Sequence, residues 1–192
     1  MVAINTAMTN LIHSIDPLDP LEQTHINNAL TWVASGAPLC RIHRPATPPQ
    51  HLVSYFTLVD TEAKQMLLVH HKKSGLWLPS GGHVEVGEHP SDTVRREVQE
   101  ELSIEADFLL PDPLLLTMTE TVPEMRAGVS TTHTDVSLWY VLRGTHTQPL
   151  DYDTREFHTV QWFPVDALPE PSMTDPHMGR FVEKLQRKML WS

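Results

Sequence analysis

The stretch from Gly82 to Ile104 carries Glu88, then an Arg96-Glu97 pair, then a Glu100-Glu101 pair, on a segment with helical periodicity. Val94, Val98 and Leu102 recur every fourth residue and form one apolar stripe, so this helix is built to lie on a core. At about 100 degrees per residue, Glu97, Glu100 and Glu101 share one arc beside that stripe. Glu97 and Glu101, one turn apart, repel by roughly 0.2 to 0.5 kcal/mol unless something positive sits between them. Arg96 can reach Glu100, but one guanidinium cannot neutralise three carboxylates. Mg2+ or Mn2+ would, because hard cations prefer carboxylate oxygens and keep several waters, leaving room for a substrate's phosphates. For an isolated helix, a solvated acidic face is the competing reading.

The residues before the helix decide between the two. Leu76-Trp77-Leu78-Pro79-Ser80-Gly81-Gly82-His83-Val84-Glu85-Val86-Gly87-Glu88 leads into it, and here the chain resembles the Nudix hydrolase family. That family's box reads G-x5-E-x7-R-E-U-x-E-E-x-G-U, with U a bulky aliphatic. This chain supplies Gly82, Glu88, Arg96, Glu97, Val98, Glu100, Glu101 and Ile104. The charged and glycine matches alone would arise by chance about once in a hundred thousand chains of this length. One fixed position departs, with Ser103 where the family has glycine. Glycine just past a helix end serves as a left-handed cap, and a serine forced into that conformation costs roughly 1 to 2 kcal/mol. The cost falls on the helix terminus and not on the metal chemistry.

The resemblance implies an α/β/α sandwich, a mixed sheet between helices, over residues 50–192, preceded by an N-terminal helical appendage and Pro-rich connector over 1–49. It implies that Glu97, Glu100 and Glu101 bind the metal, with the Gly81 carbonyl as a further ligand. Glu88 and Arg96 would orient that cluster from behind. Gly81, Gly82 and Gly87 would let the loop bend tightly and approach metal and phosphate. Glu156 precedes Val160-Gln161-Trp162-Phe163-Pro164, similar to the family's pattern of an acid before a Trp-Phe strand, and is the further metal-site acid, with Asp153 as runner-up. The implied reaction is attack of metal-activated water on a diphosphate linkage in a nucleoside diphosphate derivative, a housecleaning type of activity. A non-catalytic Nudix domain that senses a nucleotide or nucleotide-sugar is the alternative, disfavoured by the intact glutamates. An isoprenoid diphosphate isomerase is disfavoured because the lone Cys40 lies far before the box.

At 192 residues the chain suits one domain with an appendage. Its net charge of -10 argues against nonspecific nucleic-acid binding, which needs clustered Lys and Arg. The single cysteine, Cys40, forms no intrachain disulfide and fits a reducing compartment. Met1 to Pro17 lacks a basic region followed by an apolar one, and no apolar run approaches the roughly 20 residues that span a bilayer. A cytoplasmic enzyme without membrane contact is the expectation. Lys72 and Lys73 fall at a Ser74-Gly75 turn, where a phosphate contact by Lys72 and a merely exposed turn are equally compatible.

Along the chain, Pro20 to Gly36 reads as a helix stopped by glycine, and Pro45 to Pro49 as an extended connector. The first fifty residues could cover the core, mediate a homodimer or close over the site. Leu52–Val59 and Gln65–His70 read as strands joined by a polar turn, followed after the box by strands over Ala106–Leu110 and Leu114–Thr121. Val122 to Thr132 reads as a loop long enough to form a lid. In His133 to Leu142, Thr134, Val136, Leu138, Tyr140 and Leu142 suit a core face. The alternating set of His133, Asp135, Ser137, Trp139 and Val141 could line a pocket, with Trp139 stacking on a base and His133 or Asp135 making a polar contact. Pro176 to Trp191 reads as a C-terminal helix. The 12 histidines look scattered, with no helical pair that suggests zinc, and His83 has no fixed place in the box pattern.

Overall fold

The structure, a computed structural model, describes residues 2–43, 47–121, 124–126, 129–189 and 191. A mixed sheet is built on β1 (Gln50–Asp60), which hairpins into β2 (Gln65–His71) with Val59 opposite Met66. Asp60 shapes that turn by accepting hydrogen bonds from the amides of Glu62 at 3.1 Å and Ala63 at 2.9 Å. Along its other side β1 runs parallel to β8 (Thr134–Arg143), which pairs antiparallel with β5 (Leu115–Glu120). Strand β2 also pairs with β3 (Trp77–Leu78) and β9 (Phe157–Pro164), and β4 (Ser80–His83) lies antiparallel on the first half of β1.

Strand alternation gives the sheet two apolar faces, so helices cover both. Leu52, Phe56, Leu58, Val136, Leu138, Tyr140 and Leu142 form one face, which receives Val94, Val98 and Leu102 of α3 (Pro90–Leu102). Each of those three helix residues is 0% exposed, and each such burial contributes about 1.5 to 3 kcal/mol. The opposite face presents Val59, Met66, Leu68, Trp139 and Val141 to Phe181 and Leu185 of α4 (Met178–Met189). This is the α/β/α sandwich.

The N-terminal residues add α1 (Val2–His13) and α2 (Pro20–Ala34), whose Met8, Ile12, Ile26, Ala29 and Val33 join the same apolar cluster as α3. Asp19 starts α2 by accepting from the Glu22 amide at 2.8 Å and also holds Arg180 of α4 through two hydrogen bonds. Glu22, fully buried, accepts from Lys184 Nζ at 2.6 Å and from the amide of Leu116 at 3.2 Å. Because β5 is an edge strand, α2 shields backbone groups that would otherwise lack a partner. Of the roles open to this segment, covering the core is the one displayed.

Several local expectations differ from the structure. The strand expected over Ala106–Leu110 is reduced to a bridge between Phe108 and Leu142, since Pro111 and Pro113 interrupt the ladder before β5 begins. Helix α1 was not anticipated. The expected lid loop holds a small antiparallel pair, β6 (Glu124–Arg126) and β7 (Val129–Thr131), while Pro123 and Gly128 lie outside the described residues. The connector folds back on itself, with the Thr47 amide donating to the His43 carbonyl at 3.0 Å, and its Pro45 lies outside the described residues.

Candidate active site

Helix α3 begins at Pro90, capped by the His89 side chain, and ends at Ser103, whose φ of 56° and ψ of 34° are left-handed. The serine takes the conformation that the absent glycine would have adopted without strain. Between the ends, the stripe of Val94, Val98 and Leu102 turns Glu97 and Glu101 towards strand β4. Ser80 and Gly82 of β4 face the helix, as alternation requires.

Two glycines make this approach feasible. A Cβ at Gly82 would lie 1.9 Å from Glu97 Oε1, so any side chain there displaces the carboxylate. At Gly81, φ is 143° and a Cβ would meet the Ser54 carbonyl at 2.1 Å. Gly87 turns the loop with a φ of 87°.

Arg96 organises the acids. Its Nε and Nη2 grip Glu88 at 3.0 and 3.2 Å, its Nη1 donates to Glu97 at 2.6 Å, and its Nη2 reaches the His83 carbonyl at 3.3 Å. Glu100 Oε2 stands 3.7 Å from the same Nη1, on a side chain 61% exposed. Glu88 also accepts from the Thr93 hydroxyl at 2.7 Å and the Glu85 amide at 3.0 Å. Burial works against its charged form, yet these hydrogen bonds, Arg96's above all, hold its carboxyl below the usual range.

Glu101 is 6% exposed and accepts from the Ser80 hydroxyl and from the Gly81 amide at 3.2 Å. Burial, reinforced by the charges of Glu97 and Glu156, pushes its carboxyl up to about 8. Glu97 is raised by burial too, with Glu100 and Glu156 adding to the effect against Arg96. Glu156 is brought to this group by the turn before β9, where the Asp153 amide donates to the Glu101 carbonyl at 2.9 Å. Asp153's own carboxylate is occupied by Arg155, with Nη2 at 2.6 Å and Nε at 2.9 Å. Lys72 fastens the same turn, its Nζ donating to the Thr154 carbonyl and its amide to the Glu156 carbonyl at 2.9 Å. Buried carboxylates that raise one another's pKa, on a backbone cleared of Cβ atoms, fit a hard divalent cation with oxygen ligands.

Of the residues expected to line a pocket along β8, Trp139 separates from His133 and Asp135. Trp139 is 1% exposed, packs against Phe181 and Tyr55, and donates from Nε1 to Thr117 Oγ1 at 2.9 Å. It is a core residue under α4, and its expected stacking on a base is corrected accordingly. His133 and Asp135, at the other end of the strand, gather with His51 of β1 and His83 of β4. No sequence spacing announces this group. It arises because β1 and β8 run parallel, with His51 opposite Asp135. His83's imidazole is held neutral, lowered to about 3 by burial and then by the Arg41 guanidinium.

The NUDIX domain model matches residues 50–185. No curated protein matches the sequence. Among solved structures, a MutT NUDIX hydrolase from Burkholderia pseudomallei is 20% identical, with a TM-score of 0.54 over 71% of this chain and 98% of its own. A NUDIX family hydrolase from Clostridium perfringens is also 20% identical, with a TM-score of 0.51 over 72% of this chain and 97% of its own. The E. coli dihydroneopterin triphosphate pyrophosphohydrolase is 17% identical, with a TM-score of 0.54 over 81% of this chain and all 100% of its own. At these identities the likeness is one of fold.

Proposed function

The chain belongs to the Nudix hydrolase family, enzymes acting on phosphorus anhydrides, and on that premise we propose that it is a divalent-metal-dependent pyrophosphohydrolase. Its substrate class is a nucleoside diphosphate derivative, cleaved with water to a nucleoside monophosphate and a phosphorylated remainder, in the cytoplasm. The observation that carries this reading is the convergence of Glu97 and Glu101 on the Gly81-Gly82 backbone, with the Glu156 charge acting on both.

Glu97, Glu100, Glu101 and Glu156, with the Gly81 carbonyl, would hold Mg2+ or Mn2+. When bound, such an ion neutralises phosphate oxygens and lowers the pKa of an attacking water. Arg96 fixes the direction of Glu97, and Glu88 fixes Arg96 through its paired hydrogen bonds. Ser80 and the Gly81 amide orient Glu101. A glutamate of this cluster takes the proton from the attacking water, and the P–O bond opposite the attack breaks. Lys72 braces the turn that carries Glu156.

The test is a panel of nucleoside triphosphates, oxidised nucleotides, nucleotide sugars and dinucleotides with Mg2+ or Mn2+, its products read by phosphorus NMR. At least one compound is hydrolysed by wild type, with the rate falling more than about 100-fold in Glu100→Gln or Glu101→Gln. Tight binding without turnover across the panel would favour the sensor, and hydrolysis indifferent to both substitutions would refute the site assignment.

A further inference from the structure

His51, His83, His133 and Asp135 form a second cluster on the face of the sheet opposite α3. Their ligand-type atoms all lie within 4.8 Å of one another. Asp135 Oδ1 stands 3.3 Å from His51 Nε2, 3.3 Å from His133 Nε2 and 4.0 Å from His83 Nε2. A tetrahedral ion about 2.0 to 2.1 Å from each ligand spaces those ligands about 3.3 Å apart. Two of the three spacings to Asp135 already match, and the third closes with a shift of under about 1 Å.

The hydrogen bonding supplies an independent observation. The His51 side chain is 0% exposed. Although buried, neither its Nε2 nor Asp135 Oδ1 has a hydrogen-bond partner among the described residues. His51 Nδ1 lies 3.0 Å from the Pro48 carbonyl, which can only accept, so Nδ1 carries the ring hydrogen. In that tautomer Nε2 turns its lone pair towards Asp135 Oδ1, 3.3 Å away. Two buried acceptors facing each other is an unfavourable arrangement that a cation between them reverses. His133 is anchored from behind in a similar way, its Nδ1 3.1 Å from Thr121 Oγ1. Histidines that bind metals are commonly held like this, one nitrogen fixed by the protein and the other aimed at the ion.

We propose that His51, His83, His133 and Asp135 bind a transition-metal ion of the Zn2+ class, at a site separate from the glutamate cluster. Imidazole nitrogen suits Zn2+ and its neighbours, whereas Mg2+ takes oxygen ligands, so the two clusters select different ions. Arg41 Nη1 donates to His83 Nε2 at 3.1 Å. His51, His133 and Asp135 therefore form the initial set, and His83 completes it by releasing Arg41. The His83 carbonyl already accepts from Arg96. The ion thus clamps the end of β4 from one face while the Arg96 and Glu97 pair holds it from the other.

The test uses the full-length protein, stripped with a chelator, and Co2+ as the probe. Wild type takes up a single equivalent with the intense visible bands of four-coordinate Co2+, which Zn2+ displaces and excess Mg2+ does not. His133→Asn and Asp135→Asn each weaken binding more than about tenfold, while Glu97→Gln and Glu101→Gln leave it unchanged. Arg41→Ala tightens it. Should a variant at the buried positions fold poorly, His83→Asn at the more exposed ligand is the second variant, and the wild-type spectrum stands without any of them. Absence of bound Co2+, the weak bands of an octahedral ion, or bands lost with the glutamate substitutions rather than the histidine ones would overturn the proposal.

Discussion

Replacing Glu101 with glutamine should stabilise the metal-free protein at alkaline pH while abolishing turnover. Glutamine keeps an acceptor for the Ser80 hydroxyl and the Gly81 amide and removes only the ionisation. Burial and the neighbouring charges of Glu97 and Glu156 raise the folded carboxyl from 4.5 to about 8. Because the folded value lies above the unfolded one, the stability linked to the proton is fully present below about 4.5 and is lost as pH rises through about 8. At about 1.4 kcal/mol per unit, the loss is on the order of 3 kcal/mol by pH 7 and up to about 5 above pH 8. For a chain of this size that corresponds to a fall of roughly 10 °C in Tm. The assay is thermal unfolding in chelator from about pH 5 to pH 9, comparing wild type with Glu101→Gln. Wild type should lose Tm relative to the variant from about pH 5 to about pH 8, level off above that, and recover the loss when Mg2+ is added. Parallel profiles in chelator would refute the reasoning, because they would mean that Glu101 pays no penalty for its charge.

Gly82→Ala should reduce hydrolysis more than about tenfold, since its Cβ takes the position of the Glu97 carboxylate; steady-state kinetics beside circular dichroism would separate this from unfolding. Arg96→Lys should lower turnover and Mn2+ affinity by about 10- to 100-fold, because lysine cannot grip Glu88 with two donors while also holding Glu97; kcat and a Mn2+ titration read this out. Ser103→Gly should raise stability by about 1 kcal/mol with activity kept, as glycine adopts the left-handed backbone without cost, and a lower Tm would refute it. Lys184→Met should cost about 3 to 5 kcal/mol by leaving Glu22 buried and unpaired, measured by urea unfolding; Glu22→Gln added to it should recover part of the loss.

Much of the fold was legible where chemistry is local. The stripe of Val94, Val98 and Leu102 predicted α3, the glycine rule predicted left-handed backbone at Ser103, and the polar turn between β1 and β2 followed from residue type. The same local logic failed where a long-range partner decides. Trp139 lies on the face opposite Val136 and Leu138, as alternation demands, but whether that face meets solvent or helix depends on α4, some forty residues downstream. Helix α1 and the bridge at Phe108 likewise depend on neighbours in space.

By itself the sequence determined the family, through the box it carries, and the carboxylate set, because spacing along one helix and its preceding loop suffices to align carboxylates with a backbone. It could not determine which distant side chains would join them. Asp153 and Glu156 were both open from their positions; in the fold the Asp153 carboxylate binds Arg155, while the Glu156 charge acts on Glu97 and Glu101. His51, His83 and His133 looked scattered for the same reason. Their meeting rests on the parallel register of β1 with β8 and on β4 lying across β1, and strand pairing between distant segments leaves no spacing in the chain to read.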